Sequence, residues 1–408
     1  MLPSLPGGSL KGIQSMHDET MASGVYLPEL DVIPARDTTE VHRLRFHGNA
    51  GDYFRIWIVN VALSLVTLGI YSAWATVRTR RYMYSNTTLG GSPFDYLARP
   101  LPILKGRLLT VLIFAIYAFA GRIAAPLQGV AALMVAGFMP WLIVKSMMFR
   151  ARYSSWRGLR FYFSDDYGGA YKWYLGVYFL MGIPFLAIVL ATAAGHPGIG
   201  MLLAFASFTG LYPWIKGNQQ EWLVENHHFG GKSFRFDSEI GNYYGVYIKA
   251  AGVSLVWFLP CIALFSTAAV LINKGNPQAF NPKMPSPYFI LGVYAVMAPA
   301  YLGVWTFVHT RMTNLLYNQA RLGQYRFRST LAYWPMLGLY VTNALAVLST
   351  IGLALPWARV RTARYRANHL QVIGEGDLSD FVRDAFAHGE IGATATEMDS
   401  LLGIDIGL

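Results

Sequence analysis

The chain has 408 residues, of which 54% are hydrophobic, 15% aromatic and only 13% charged. A soluble domain carries about 25% charged residues, so a composition this poor in charge excludes an ordinary water-soluble protein. The formal net charge of +11 is read as membrane topology and affinity for anionic lipid headgroups, not as a nucleic-acid footprint.

Residues 1–42 open with "MLPSLPGGSL" and show no sustained periodicity, which reads as a disordered tail. A basic n-region followed by an apolar h-region is missing there, so no signal peptide is expected. Apolar runs long enough to span a bilayer, roughly 17–25 residues, follow at Ile123–Val144, Trp173–Ala194, Gly198–Ile215, Ala250–Ile272 and Tyr288–Val308. Leu108–Gly121 completes six if Lys105 and Arg107 snorkel. The runs pair as hairpins, 101–121 with 123–144, 173–194 with 198–215 and 250–272 with 288–308, across turns such as "AAGHPG" and "NKGNPQAFNPKMPSP". These turns carry few basic residues (Arg122, Lys274, Lys283), whereas the opposite loops are rich in Arg and Lys. That asymmetry is the positive-inside pattern and places the loops and both termini in the cytoplasm. The end of the chain, 374–408, carries eight acidic residues and one basic one, and reads as an acidic cytoplasmic tail with a short amphipathic helix around Leu378–Phe386. Cys261 is a lone cysteine in an apolar stretch, which excludes an intrachain disulfide.

The basic loops share a frame. A Trp closes each incoming run, at Trp74, Trp141, Trp214, Trp305 and Trp357. Seventeen residues on stand Gly91, Gly158, Gly231 and Gly374, with Gly323 one place late; twenty on stand Phe94, Phe161, Phe234 and Tyr325, with Asp377 breaking the rule. The unit is a helix leaving the membrane at an interfacial Trp, continuing as a basic segment and ending in a Gly turn. Short strands such as "RFYFS" and "SFRFD" pack the turn back. Five such Trp-to-Phe units fill a polytopic membrane domain over 43–373, implying duplication.

The first and last units match most closely. "NVALSLVTLGIYSAWATVRTRRY" from Asn60 aligns without a gap with "NALAVLSTIGLALPWARVRTARY" from Asn343, each behind a strand-like piece, "RLRFHG" or "QYRFRS". Both flanks of the runs 53–74 and 331–357 are Arg-rich, which conflicts with a simple crossing. A short re-entrant hairpin bent near Thr67–Gly69 and Thr350–Gly352 is preferred to one ordinary span. The expected fold is therefore an all-α polytopic membrane protein. It has about six main transmembrane helices in three hairpins, two short terminal hairpins, Gly-rich cytoplasmic turns and short strands in a pseudo-repeat.

The stretch "YFRIWIVNVALSLVTLGIYSAWATVRTRRYMYSNTTLGGSPFDY", followed by "LKGRLL", resembles the signature of the YjgN-like family of bacterial inner-membrane proteins, a family of unknown function. The resemblance covers Phe46–Leu109 and returns at Asn343–Tyr365. It implies an inner-membrane location and carries over no catalytic residue.

Chemistry-bearing motifs are scarce. The sequence has no HExxH, GxSxG or P-loop spacing, so no enzyme, catalytic residue, metal or cofactor is expected. His227-His228 reads as a turn element before a metal ligand, and Asp165-Asp166 as turn or cap residues before a carboxylate pair. The six runs contain no Asp or Glu, which disfavours an ion-coupled pump with an acidic relay. The polar groups at depth are Asn60, Thr67, Asn343 and Thr350, with Ser64, Ser349 and the bend glycines Gly69 and Gly352. They are pore or ligand candidates if they line a cavity, though mutual satisfaction with bent backbone is the simpler reading. Trp74, Trp141, Trp214, Trp305 and Trp357, with Arg78, Arg81, Arg361 and Arg364, are the candidate membrane-interface anchors. A channel or transporter-like protein for a small solute or lipid ranks first. A membrane scaffold or assembly factor, binding lipid or a protein partner through the cytoplasmic tails, ranks second, and a lipid or envelope enzyme follows. No oligomeric state follows from these residues.

Overall fold

The computed structural model describes residues 39–275 and 287–386. Most of the turn "NKGNPQAFNPKMPSP" lies outside them, as do tail residues 1–38 and 387–408, on which the tail readings largely fall.

Ten short strands occur among the described residues: β1 (Thr39–Phe46), β2 (Thr87–Leu89), β3 (Ser92–Tyr96), β4 (Ser154–Trp156), β5 (Leu159–Phe163), β6 (His227–Phe229), β7 (Lys232–Phe236), β8 (Ala320–Leu322), β9 (Tyr325–Ser329) and β10 (Leu370–Glu375). They close into one antiparallel barrel, sealed where β1 pairs with β10 from Thr39↔Glu375 to Arg43↔Gln371. This overturns the all-α expectation. The strand-like pieces are not separate props for their turns: each pairs on both sides into a common wall. Strand alternation explains why. Leu44, Phe94, Phe161, Phe234 and Phe327 pack against an interior cluster of Leu89, Trp156, Leu159, Phe229, Leu322, Tyr325 and Val372. Neighbouring positions Arg45, Asp95, Arg160, Arg235 and Arg326 are exposed. Three to eight residues are too few for a strand to span a bilayer, which takes about 9–11, and the interior is packed with side chains.

Between strands run the helices, two per unit. The first unit holds α1 (Ala50–Val66) and α2 (Ser72–Ser85), the second α3 (Pro100–Ile123) and α4 (Ala125–Arg152). The third holds α5 (Tyr167–Ala193, with a π-helical turn at Tyr171–Leu175) and α6 (Pro197–Glu225). The fourth holds α7 (Ile240–Gly275) and α8 (Pro287–Gln319), and the fifth α9 (Tyr333–Ser349) and α10 (Leu355–Asn368). Each unit is thus strand, helical hairpin, strand. Five units around the barrel place every hairpin on one rim and the four tight β-turns on the other. At the first two of these turns Gly90 and Gly91 have φ of +54° and +78°, and Arg157 and Gly158 +49° and +82°, the signs that a two-residue type I′ turn requires.

The fourth unit corrects the sequence frame. Its turn is Gly323-Gln324 and its third strand residue is Phe327, so Phe327, not Tyr325, occupies the place of Phe94, Phe161 and Phe234. The fifth unit has no turn at all. The chain leaves β10 at Gly376 (φ +81°), and Asp377 caps an eleventh helix, α11 (378–386), by accepting from the Ser379 amide at 2.9 Å.

Six helices, α3 to α8, are long and apolar enough to cross a membrane. Neither of the runs 53–74 and 331–357 is a single helix. Each is broken into two helices, and both ends of each return to the barrel.

Candidate functional site

Two features stand out around the barrel: the pair of short hairpins on one rim and α11 on the other. The short hairpins are built to one plan. In the first, Gly69 N–H reaches back to Ser64 O at 2.7 Å, and the Thr67 hydroxyl donates to Leu63 O at 2.7 Å while accepting from Tyr71 N at 2.9 Å. In the fifth, Gly352 N–H reaches Val347 O at 2.8 Å, and Thr350 donates to Ala346 O at 2.7 Å and accepts from Ala354 N at 2.9 Å. Gly69 and Gly352 both have φ +91°, preceded by Leu68 at +49° and Ile351 at +50°. A β-branched residue in the left-handed region is strained, so Ile351 is held there by the turn around it. A Cβ on either glycine would meet nothing within 4 Å; backbone conformation, not crowding, calls for glycine.

The asparagines hold the arms together. Asn60 donates to Ala75 O at 3.4 Å, and Asn343 to Ala358 O at 3.3 Å and to Thr362 Oγ1 at 3.0 Å. The two clamps are not equally satisfied. Asn343 Oδ1 accepts from Arg361 at 3.2 Å, whereas the buried Oδ1 of Asn60 has no hydrogen-bond partner among the described residues. Each Asn thus serves its own hairpin, and no hydrogen bond joins Asn60 to Asn343 among the described residues. The hairpins instead meet through α1 and α10, where Arg359 donates to Tyr53 Oη at 3.0 Å and Arg364 to Gly48 O at 2.8 Å.

The five tryptophans sit at a similar height above the barrel, 11 residues before the end of their helices at Trp74, Trp141, Trp214 and Trp357 and 14 at Trp305. Trp74 stacks on Tyr71 at 6.1 Å, beside Arg78, which donates to Tyr71 Oη at 3.1 Å. Arg81 is exposed. Arg361 lies over the Trp357 ring at 5.1 Å. Trp214 meets Trp173 edge-on at 5.4 Å, and Trp305 stacks on His309 at 4.9 Å. Trp141 lines an apolar groove of about 350 Å³ with Met134, Gly137, Phe138 and Tyr171.

Measured from this Trp level at about 1.5 Å per residue, the second arms of the three long hairpins run on for about 24–27 Å, from Trp141 to Ala125, Trp214 to Pro197 and Trp305 to Pro287. The corresponding helices of the short hairpins begin two residues beyond Trp74 and Trp357. Their apices expose Val66, Leu68, Ile70, Leu348, Ile351 and Leu353, with Leu68 and Ile351 both 94% exposed. The long hairpins are apolar around more than one face. Met201, Leu202 and Leu203 point about 100° apart yet are 67%, 70% and 52% exposed.

On the opposite rim α11 seals the barrel. Leu378, Phe381, Val382 and Ala385 complete the interior cluster. Phe381 stacks on Phe229 at 6.3 Å, meets Tyr325 edge-on at 4.9 Å and lies under Lys232 Nζ at 4.9 Å. Lys232 also pairs with Asp384. Arg157 fastens a turn to the helix, donating to Ser92 Oγ at 2.9 Å and Ser379 Oγ at 3.1 Å. The turns must be bare to admit it: a Cβ on Gly90 would stand 2.9 Å from Leu378 Cδ1, and one on Gly230 2.9 Å from Ala385. The Ser379 amide holds the Asp377 carboxyl below its ordinary value, and burial raises the Tyr325 phenol.

His227 and His228 lie in β6. Nδ1 of His227 faces Leu223 O at 2.6 Å and Nε2 of His228 faces Ser164 Oγ at 2.7 Å. Burial lowers both histidines, and for His228 the His227 charge adds to it. Asp166 caps α5 through Gly169 N and accepts from Trp222 Nε1, each at 2.8 Å. Sequence reasoning missed α11 as the seal. Its amphipathic pattern was visible, but the cluster it joins draws on all five units.

Comparison with known proteins fits this frame. The family described as "Bacterial protein of unknown function (DUF898)" matches residues 41–401. Inner membrane protein YjgN of Salmonella typhimurium is 25% identical over 379 residues, covering 87% of this chain and 94% of that protein. The protein of the same name from Escherichia coli K12 is 27% identical over 369 residues, covering 82% and 89%. No solved structure matches. With six helices fit to span and relatives named for the inner membrane, this is a multi-pass protein of the bacterial inner membrane, and it belongs to the DUF898 family of bacterial proteins of unknown function.

Proposed function

We propose that the chain is a transporter-like protein that handles lipid, with its barrel on the cytoplasmic side, and is not a hydrated channel. One observation carries this reading. The five hairpins follow one another around the barrel, but the two short ones are neighbours, joined through β1 and β10. At membrane depth the wall is therefore an arc of six helices, open over the two short hairpins. A water-filled path needs a continuous wall with a polar lining; this arc is open on one side, and its helices expose apolar side chains on several faces. Acyl chains suit such a space, with the apolar apices around Leu68 and Ile351 as its floor.

A test combines native mass spectrometry with fluorescent-lipid translocation in proteoliposomes. Retained lipid adducts and translocation, both reduced in a Leu68→Asp/Ile351→Asp variant, are expected. Ion conductance without lipid occupancy would sink the proposal. A scaffold role is the second reading, favoured by the filled barrel and its docked helix. A stoichiometric co-purifying protein, with no lipid adduct or translocation, would select it.

A further inference from the structure

The outer wall of the barrel carries its excess of positive charge on one side. Across adjacent strands, Arg235 of β7 stands opposite Arg321 of β8, which stands opposite Arg326 of β9. The three side chains share the outer face, since Phe234, Leu322, Tyr325 and Phe327 between them turn inward. A second row follows, with Arg328 opposite Gln371 and Gln371 opposite Arg43. On the other half of the wall the exposed strand positions include Pro93, Asp95, Arg160 and Tyr162, a nearly neutral set.

Like charges directly opposite on neighbouring strands destabilise a sheet. Here one carboxylate answers three guanidinium groups: Asp237 pairs with Arg321 through Nε, which leaves the Nη groups of Arg321 for another acceptor. The nearby Glu239 is engaged by Asn242 at 2.8 Å. Arg235 and Arg326 are exposed and form no ion pair among the described residues. Several guanidinium forks in one row match the oxygens of a phosphate group, which Arg binds bidentately. Arg235, the penultimate residue of β7, stands at the rim from which α7 rises at Ile240, and Arg326 stands beside the turn that opens β9.

We infer that Arg235, Arg321 and Arg326 form a binding site for a phosphate group on the outer wall of the barrel. Its source is either a lipid headgroup at the rim or a soluble phosphate ester. The site does not depend on the lipid-handling proposal, since it lies outside the membrane helices.

The test uses the full chain in neutral detergent, titrated calorimetrically with glycerol 3-phosphate and separately with dihexanoyl-phosphatidylglycerol below its micellar concentration. Binding weakened at least tenfold in Arg235→Gln/Arg326→Gln, and unchanged in Arg160→Gln on β5, which β6 separates from the row, is expected. Preference for the lipid identifies a headgroup, and equal binding identifies a soluble ester. Absence of binding by both probes, or binding undiminished in the double variant, overturns the inference. Should the double variant fail to fold, Arg326→Gln alone, which spares the Arg321–Asp237 pair, is titrated in its place, and binding undiminished there overturns the inference equally. Lipid translocation retained in a variant that has lost phosphate binding would leave the lipid-handling proposal standing without this site.

Discussion

Replacing Phe381 by Ala tests whether α11 is a detachable seal on an otherwise self-sufficient barrel. The ring is 6% exposed and touches Phe229, Tyr325 and Lys232. Truncating a buried Phe to Ala costs about 3–5 kcal/mol, and the low end applies because the site borders solvent at the rim. A loss of about 3 kcal/mol, at about 1.4 kcal/mol per decade, raises the open population of the helix about 100-fold. Hydrogen exchange of amides 378–386 should accelerate by that factor. Amides of α3 to α8, which make no part of the rim cluster, should be unaffected. Gly230→Val should reproduce the effect by a different route, since its Cβ would stand 2.9 Å from Ala385. Unchanged exchange in 378–386 would show that the helix is not held by this contact. Loss of protection throughout the chain would show that it is no separate unit.

Asn343→Leu should destabilise the fifth hairpin by about 1–3 kcal/mol, read from the thermal midpoint in detergent. Asn60→Leu should cost less, because its buried Oδ1 is already unpaired. Gly352→Ala should lower the midpoint through strain at φ +91°, by about 1 kcal/mol, whereas Ile351→Gly at φ +50° should raise it. Acidification should weaken the β6 region. His227 and His228 sit below their ordinary value of 6.5 when folded, so the unfolded chain takes up protons first. Stability is full above pH 6.5 and falls as pH drops toward the folded values, and His227→Gln should flatten that slope in a melting series from pH 7.5 to 5.5.

Much of the membrane part was legible in the residues. Apolar length located six spans, and the matched "VTLGIYSAWA" and "STIGLALPWA" stretches located both bends, because a helix that turns back needs a left-handed residue and glycine supplies it. The barrel was not legible as a barrel. Its strands are three to eight residues long, too short for alternation to register alone, and each has at least one partner beyond a helical hairpin or at the far end of the chain, as Thr39 has in Glu375. The repeat holds its register through three units and then loses it. The stretch from Trp305 to Gly323 is two residues longer than that from Trp74 to Gly90, a difference that an ungapped count cannot absorb. The departure at Asp377 has a structural meaning: it marks where the chain stops building wall and begins the seal. Asn60 and Asn343 stand out in the sequence as polar residues at depth, but their partners lie past the bend, fifteen residues on, where only the folded hairpin brings them close.

The seam between β1 and β10 also orders the birth of the protein. Among the described strands the first to leave the ribosome has the last as its closing partner, so β1 must wait with one edge unpaired while six membrane helices are inserted. Only when Leu370–Glu375 arrives can that edge be covered, and α11 follows at once to stop the mouth. A chain cut short before residue 370 would therefore keep its membrane helices and yet present an open sheet edge, the kind of surface that recruits other strands. Barrel closure thus distinguishes a finished molecule from an unfinished one at the membrane surface.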